Sequence, residues 1–434
     1  MSVAIPAYQI LRKSVVGEEN EWVKMWDPPE ASPLTPERLN PTNPVPEFIA
    51  RPEIVGPQLD RIPNTVRRTL LHGQKLTMWD GKQVNFFLFD DPDIPSTSAG
   101  TFPAPTIRVP RGVIFHGWTH GQGPPPHTIH WHGIEPTPMN DGVGHCSMEL
   151  GTYTYQWQPN FIGSYFYHCH RNTMQHFEFG LYGFLIIEPP DAYAQQNPAL
   201  PNYAGGYPRR TAANLTNFPQ FPGFVGGDLA GADPQAMTVP YDTEALWVID
   251  DRDSIWSDKM KNARATFPTH GNQPGINDLF LKGDFHDFNA DYFFVTGVPF
   301  PAPVGGTVAC ASNVVVPAIA NSGVTGMQVS VNAQRNQTIL VRCLCAAYVS
   351  IKVTFPVDVV IIAFDGRALG VPPFGDYSSP FLLKAGTPFA LSTARRFDAL
   401  IRSADTVNSF ANVEFINNRG GRTLLNGRIP IVIN

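Results

Sequence analysis

The chain has 434 residues, 43 of them proline and 37 glycine, with Lys+Arg 31 against Asp+Glu 37 for a formal net charge of −6. That length exceeds what one hydrophobic core usually serves, so two domains are expected, each large enough to bury a good core. Scattered rather than clustered Lys and Arg give no footing for nucleic acid, and no apolar run reaches the ~18–20 residues of a membrane span.

Abundant proline, glycine and aromatics with short β-branched runs predict an all-β chain with many turns. Met1–Arg12, "MSVAIPAYQILR", lacks the features of a secretory signal. The expectation is a cytoplasmic chain, or an extracytoplasmic one whose signal is not part of this sequence. Residues 1–60 contain "MWDPPEASPLTPERLNPTNPVPEF", proline-rich and aperiodic, which predicts an extended N-terminal arm wrapping a domain or a neighbouring subunit. Residues 61–190 follow as short strand-like runs, "VNFFLFDD", "TIRVPRGVIFHGW", "TYTYQWQP", "GSYFYHCH" and "LYGFLIIEPP", spaced as in a β-sandwich or barrel. Residues 191–240, rich in Pro, Gly, Ala and Asn, predict a linker or crossover. A second strand series, "EALWVIDD" through "ANVEFINN", makes 241–434 a second β domain.

The five cysteines, Cys146, Cys169, Cys310, Cys343 and Cys345, show no disulfide-scaffold spacing, and Cys343 and Cys345 in "ILVRCLCAAYVSIKV" are expected as small core residues. The sequons at Asn214 and Asn336 carry little weight beside the missing signal.

Of the 12 histidines, three fall in "HTIHWHG" (127–133), and three more in "YFYHCHRNTMQHFEFGL". Side chains two apart on a strand share a face. If both stretches are extended, His130 and His132 point one way and His127 the other, while His168 and His170 point one way and Cys169 the other. Neighbouring strands would then carry four imidazoles on one face and a Cys with a His on the opposite face. His176 lies seven residues after Cys169, within loop reach of it. Two His and a Cys thiolate suit a blue-copper electron-transfer site, and zinc would accept the same donors but normally takes a fourth strong ligand in a structural site. The four-imidazole face suits a second site for copper or another imidazole-binding metal. Cys169 sits between His168 and His170 in the chain, a short link that makes sense for redox work.

These stretches resemble the His-x-x-His-x-His-Gly and His-Cys-His…His…Gly-Leu copper motifs of the multicopper oxidases. "FPAPTIRVPRG" is similar to a first-domain strand of that family, and "MNDGVGHCSMELGTYTYQWQPNFIGSYFYHCH" to its connecting pattern, while "QTILVRCLCAAY" and "VVIIAFDGR" resemble cupredoxin strands more weakly. The resemblance implies an all-β fold of two cupredoxin-like Greek-key β-barrel domains. It implies that His127, Cys169 and His176 hold a type 1 copper, His130 a type 2 copper, and His132, His168 and His170 a type 3 pair. Leu181 falls at the axial position, where a non-coordinating side chain favours the reduced ion and raises the potential, and Met174 is a rival axial donor. Asp141 matches an acid that lies near the oxygen-reducing site in relatives and is a candidate proton relay, the alternative being an Asp-Gly turn.

The chain departs from the pattern in its count. A family-type cluster needs eight histidines, four from each of two domains, and this chain offers four, since 241–434 has no His-x-His pair. His72, His116, His120, His145, His270 and His286 do not repeat the motif, although His116 and His120 are placed to enter the site as irregular ligands. Two copies of the first domain facing each other across a twofold axis would supply the eight, making a homo-oligomer the expectation. The implied function is oxidation of a small phenolic or aromatic donor coupled to O2 reduction. The alternatives are a nitrite-reductase-like enzyme using His132, His168 and a neighbour's histidine, and a non-catalytic blue-copper electron carrier.

Overall fold

The computed structural model describes residues 65–90, 102–112, 115–121, 127–143, 152–170, 173–189, 209–221, 237–263, 288–300, 311–315, 329–372 and 378–434. The expected arm (1–60) lies outside these residues, as do His145, Cys146, His270, His286 and Cys310. For His72, His120 and Met174 the backbone alone is described.

The N-terminal half is built from β1 (Thr65–Thr77), β2 (Gln83–Asp90), β3 (Ala104–Pro110), β4 (Phe115–Gly121), β5 (His130–His132), β6 (Thr152–Trp157), β7 (Gly163–His168) and β8 (Tyr182–Glu188). They form two four-stranded sheets, β2-β1-β4-β6 and β3-β8-β7-β5. The alternation of "TYTYQW" in β6 sends Tyr153, Tyr155 and Trp157 inward, where they meet Phe115, Trp131, Tyr165, Tyr167 and Cys169 in one buried cluster. Each such ring contributes roughly 1.5–3 kcal/mol on burial. β7 is buried at every residue, unlike a strand with one wet face. Tyr165 and Tyr167 fill the N-terminal core, while the opposite face packs near the strand Arg396–Ile401 of the C-terminal half, with Ser164 hydrogen-bonded to Asp398.

The C-terminal half is a second pair of sheets. One runs through Thr243–Arg252, Ile339–Cys345, Arg396–Ile401 and Val359–Phe364, and the other through Thr423–Ile433, Val407–Ile416 and Ser350–Thr354. Cys343 and Cys345 share an inward face with Trp247 and Phe397, and both are free, buried thiols. Within 191–240, Arg209–Ala212 pairs antiparallel with Thr238–Tyr241. The all-β pattern is interrupted by the helix Ser254–Ala263, whose start is fixed by the Asp253 carboxylate accepting the backbone N–H groups of Ile255 and Trp256.

A buried chain of charges joins the halves. Arg108 on β3 pairs with Glu188 (2.7 Å) and with Glu244 of the C-terminal half. Glu244 also accepts from Arg342 Nε (2.7 Å), and Arg342 Nη1 reaches Asp398 Oδ2 and Ser164 Oγ, each at 3.1 Å. A second cluster sets Arg252 beside Asp250 (3.2 Å) and Glu178 (3.5 Å), with the Tyr182 hydroxyl donating to Asp250 (2.7 Å). Charges taken this far from water are tolerable only when paired and hydrogen-bonded.

Candidate metal centres

β5 and β7 lie side by side with His130 opposite His168, Trp131 opposite Tyr167 and His132 opposite Phe166. The Trp131–Tyr167 pair faces the core, so His130, His132 and His168 emerge together on the outer face, and His170, two residues past His168, joins them with its ring 5.0 Å from that of His130. Ligand atoms of His130, His132 and His168 lie within 4.8 Å of one another, and His132 Nδ1 is 3.3 Å from His168 Nε2. Phe166 stacks on both His132 (4.3 Å between centroids) and His168 (5.2 Å), fixing their planes.

The carbonyl and carboxylate oxygens of Asp141 lie 2.7 and 3.2 Å from His130 Nδ1, and the Cys169 carbonyl lies 2.9 Å from His168 Nδ1. A proton held on Nδ1 by those oxygens leaves Nε2 as the lone pair turned outward. Burial pushes His168 well below the usual imidazole range, with the neighbouring histidines adding to it. Burial, with Arg396, His130 and His170 beside it, brings His132 down to about 3. These rings are therefore neutral near pH 7, the form a metal needs. The Asp141-Gly142 turn is tight against the motif. Gly142 has φ +71°, and a Cβ there would lie 1.8 Å from the Ile129 carbonyl oxygen. Asp141 thus serves as a turn residue and as the orienting partner of His130.

The opposite side of the same strands carries the other set. Cys169 Sγ lies 3.5 Å from His127 Nδ1 and 3.1 Å from His176 Nδ1, and all three residues are buried. His176 reaches the sulfur because the short helix Thr173–Glu178 turns the chain back immediately after His170. Leu181, fully buried, exchanges backbone hydrogen bonds with the set, its N–H donating to His176 O and its carbonyl accepting from Cys169 N–H, both at 3.0 Å. Phe87 meets the His176 ring edge-on at 5.8 Å.

The two imidazole nitrogens turned on one thiolate sulfur in an apolar enclosure fit a soft, three-coordinate copper ion. The outer cluster of imidazoles, with His132 and His168 neutral, fits copper as well. His116, expected as an irregular ligand, is placed elsewhere. It lies on β4 opposite Gln156, in the other sheet, and neither described ligand group includes it. The physical reason is sheet partition: β4 pairs with β1 and β6, whereas β5 and β7, which carry the candidate ligands, belong to the β3-β8-β7-β5 sheet. Its ring is buried with neither nitrogen hydrogen-bonded, and burial lowers it to about 4. No local pattern in the sequence signals Arg396 and Phe166, which back the outer cluster from the C-terminal half and from β7 respectively. Gly133 is the trace of this contact, since a Cβ at its φ of +92° would lie 2.7 Å from Arg396 Nη2.

A family profile described as "Multicopper oxidase" matches residues 94–192. L-ascorbate oxidase of Cucumis sativus is 38% identical over 106 residues, covering 22% of this chain and 17% of the cucumber protein. Laccase abr2 of Aspergillus fumigatus is 38% identical over 98 residues, 21% of this chain and 16% of that protein. The chain thus matches well under a quarter of the length of these curated relatives. Among solved structures, the blue copper oxidase from Nitrosomonas europaea superposes with a TM-score of 0.50 at 18% identity, covering 86% of this chain and 85% of that one. The multicopper oxidase mgLAC gives 0.50 at 17% identity, with 86% of each covered. These two likenesses extend the cupredoxin-like fold across both halves. Residues 94–192, which carry all of the sequence-predicted ligands, are thus similar in sequence to the multicopper oxidases, and the fold across both halves is one of cupredoxin-like β-barrel domains.

Proposed function

We propose that this chain is a copper-dependent oxidoreductase that oxidises a small phenolic or aromatic donor one electron at a time at the His127/Cys169/His176 set and couples this to O2 reduction at the His130/His132/His168/His170 face. The observation that carries the reading is the placement of two distinct donor sets on opposite sides of one pair of strands, joined through consecutive residues 168–170. Copper bound at these donors would supply the one-electron chemistry, cycling between its two common oxidation states.

The chain's own residues prepare both sets. Cys169 offers the sulfur, and the enclosing Leu181 and Phe87 keep water from it. Asp141 orients His130 and, being only partly buried, is the group at hand to move a proton at that edge of the cluster. Four imidazoles make half of a family-type cluster, so the reading includes a homo-oligomer in which two such faces meet across a twofold axis. His130 of each copy would hold the ion on the axis. His132 and His168 of one copy, with His170 of the other, would hold each flanking ion. The 3.3 Å approach of His132 Nδ1 to His168 Nε2 supports those two acting on one ion.

Copper per chain on purified, copper-loaded protein tests the proposal. About 2.5 is expected, two thiolate sites and one shared three-copper cluster per pair of chains. A value of about one sinks the oxidase reading in favour of an electron carrier, and about two with turnover of nitrite favours a reductase.

A further inference from the structure

The outer histidine face opens on one side into a cleft of about 450 Å³, lined by His130, His132, Gly133 and Glu135 from the N-terminal half and by Asp365, Arg367 and Ala394–Arg396 from the C-terminal half. The volume falls within the range of small-molecule sites. To this wall the C-terminal half contributes three guanidinium groups. From this we propose that the cleft binds a small planar oxyanion or carboxylate, held by Arg367, Arg395 and Arg396 beside His130 and His132. The site stands on the chain's own side chains, whether or not copper is bound.

Three cations in the wall face two carboxylates. Asp365 is shared, 3.1 Å from Arg395 Nε and 3.5 Å from Arg396 Nη1. Glu135 pairs with Arg367 Nη2 at 2.7 Å, but its side chain is 77% exposed, and such a surface pair yields easily to a competing anion. Among the described lining residues the arginines thus outnumber the carboxylates by one. Arg396 is the fixed element. Its side chain is 3% exposed, its Nε and Nη1 donate to Ser164 O (3.4 Å) and Ala394 O (2.8 Å), and its guanidinium lies over Phe166 at 5.3 Å. None of those bonds uses Nη2, which lies beside Gly133 at the cleft wall. Arg367 is steadied by donating to the Tyr165 hydroxyl (3.0 Å) and by stacking over Phe161 (4.5 Å). Arg395, half-exposed, stands at the mouth. Planar forks of this kind match a planar anion bidentately, and lysine would not.

The test uses the full-length chain, copper-free and copper-loaded, titrated calorimetrically with two redox-inert planar anions, sodium nitrate and sodium benzoate, against a constant chloride background. Saturable binding of at least one is expected in the copper-free protein, weakening as ionic strength rises. Preference for nitrate assigns the site to inorganic oxyanions, and preference for benzoate to organic acids. Arg395→Ala and Arg367→Ala, both at partly exposed positions, are each expected to weaken binding by tenfold or more, and Arg396→Lys to retain the fold while losing affinity. No saturable binding of either anion, or unchanged affinity in the Arg395→Ala/Arg367→Ala double variant, overturns the proposal. The copper count separates it from the proposed function. Anion binding with one copper per chain leaves this site standing while the oxidase reading fails, and the converse pattern removes the site alone.

Discussion

Glu244→Gln is the most telling perturbation of the seam between the halves. Burial pushes the Glu244 carboxyl up, and Arg108 and Arg342 more than reverse this, bringing it from 4.5 down to about 2. That difference corresponds to ~3 kcal/mol of folding stability, in line with the ~3–5 kcal/mol expected when one partner of a buried ion network is removed. The variant should therefore melt roughly 3–6 °C below wild type at pH 7 by scanning calorimetry. Because the carboxyl is depressed in the folded protein, its contribution is complete above pH 4.5 and is lost as pH falls through about 2. The gap between variant and wild type should then shrink by about half by pH 3. Glu135→Gln, at an exposed pair on the same seam, serves as the control and should shift melting by less than about 2 °C. A melting temperature equal to wild type at pH 7, or a gap as wide at pH 3 as at pH 7, would refute this assignment of Glu244 as the central anion of the seam.

Cys169→Ser should abolish the intense visible absorption of a copper thiolate and lower copper by about one per chain, leaving the outer histidine face loaded; atomic absorption with optical spectroscopy reads both. Asp141→Ala keeps the backbone carbonyl 2.7 Å from His130 Nδ1 and removes only the carboxylate at 3.2 Å, so metal binding at the outer face should weaken by less than about 10-fold, measured by chelator competition. Leu181→Met, which brings a thioether to the edge of the thiolate set, should lower the reduction potential of that set in a spectroelectrochemical titration, and an unchanged potential would place position 181 away from the axial direction.

The sequence was most informative where chemistry and strand periodicity coincide. The parity of His130, His132, His168 and His170 against Cys169 was readable because two-residue alternation is a local property of an extended backbone, and the structure realises it through a single register, His130 opposite His168. His127 and His176 needed one further step, a turn of chain on either side, which spacing alone permits. Arg396 illustrates what local pattern does not carry. It is 226 residues beyond His170, and it reaches Phe166 through sheet packing between halves, so no periodicity in either segment announces it. The helix Ser254–Ala263 was missed for a different reason. Its cap, Asp253, ends the acidic run of "VIDDRDS", and its apolar positions are few, so the preceding strand signal dominates. His116 misled because nearness in sequence to "HTIHWHG" says nothing about which of two sheets a strand will join.

His127 is 4% exposed, and Cys169 and His176 are completely enclosed. If this set takes electrons as proposed, a reductant has no imidazole edge among the described residues to grip, and its electron must cross the side chains that roof the site. Discrimination among donors then depends on driving force and distance of approach rather than on a fitted cavity. A roof of that kind admits many molecules of suitable potential and strongly selects none by shape.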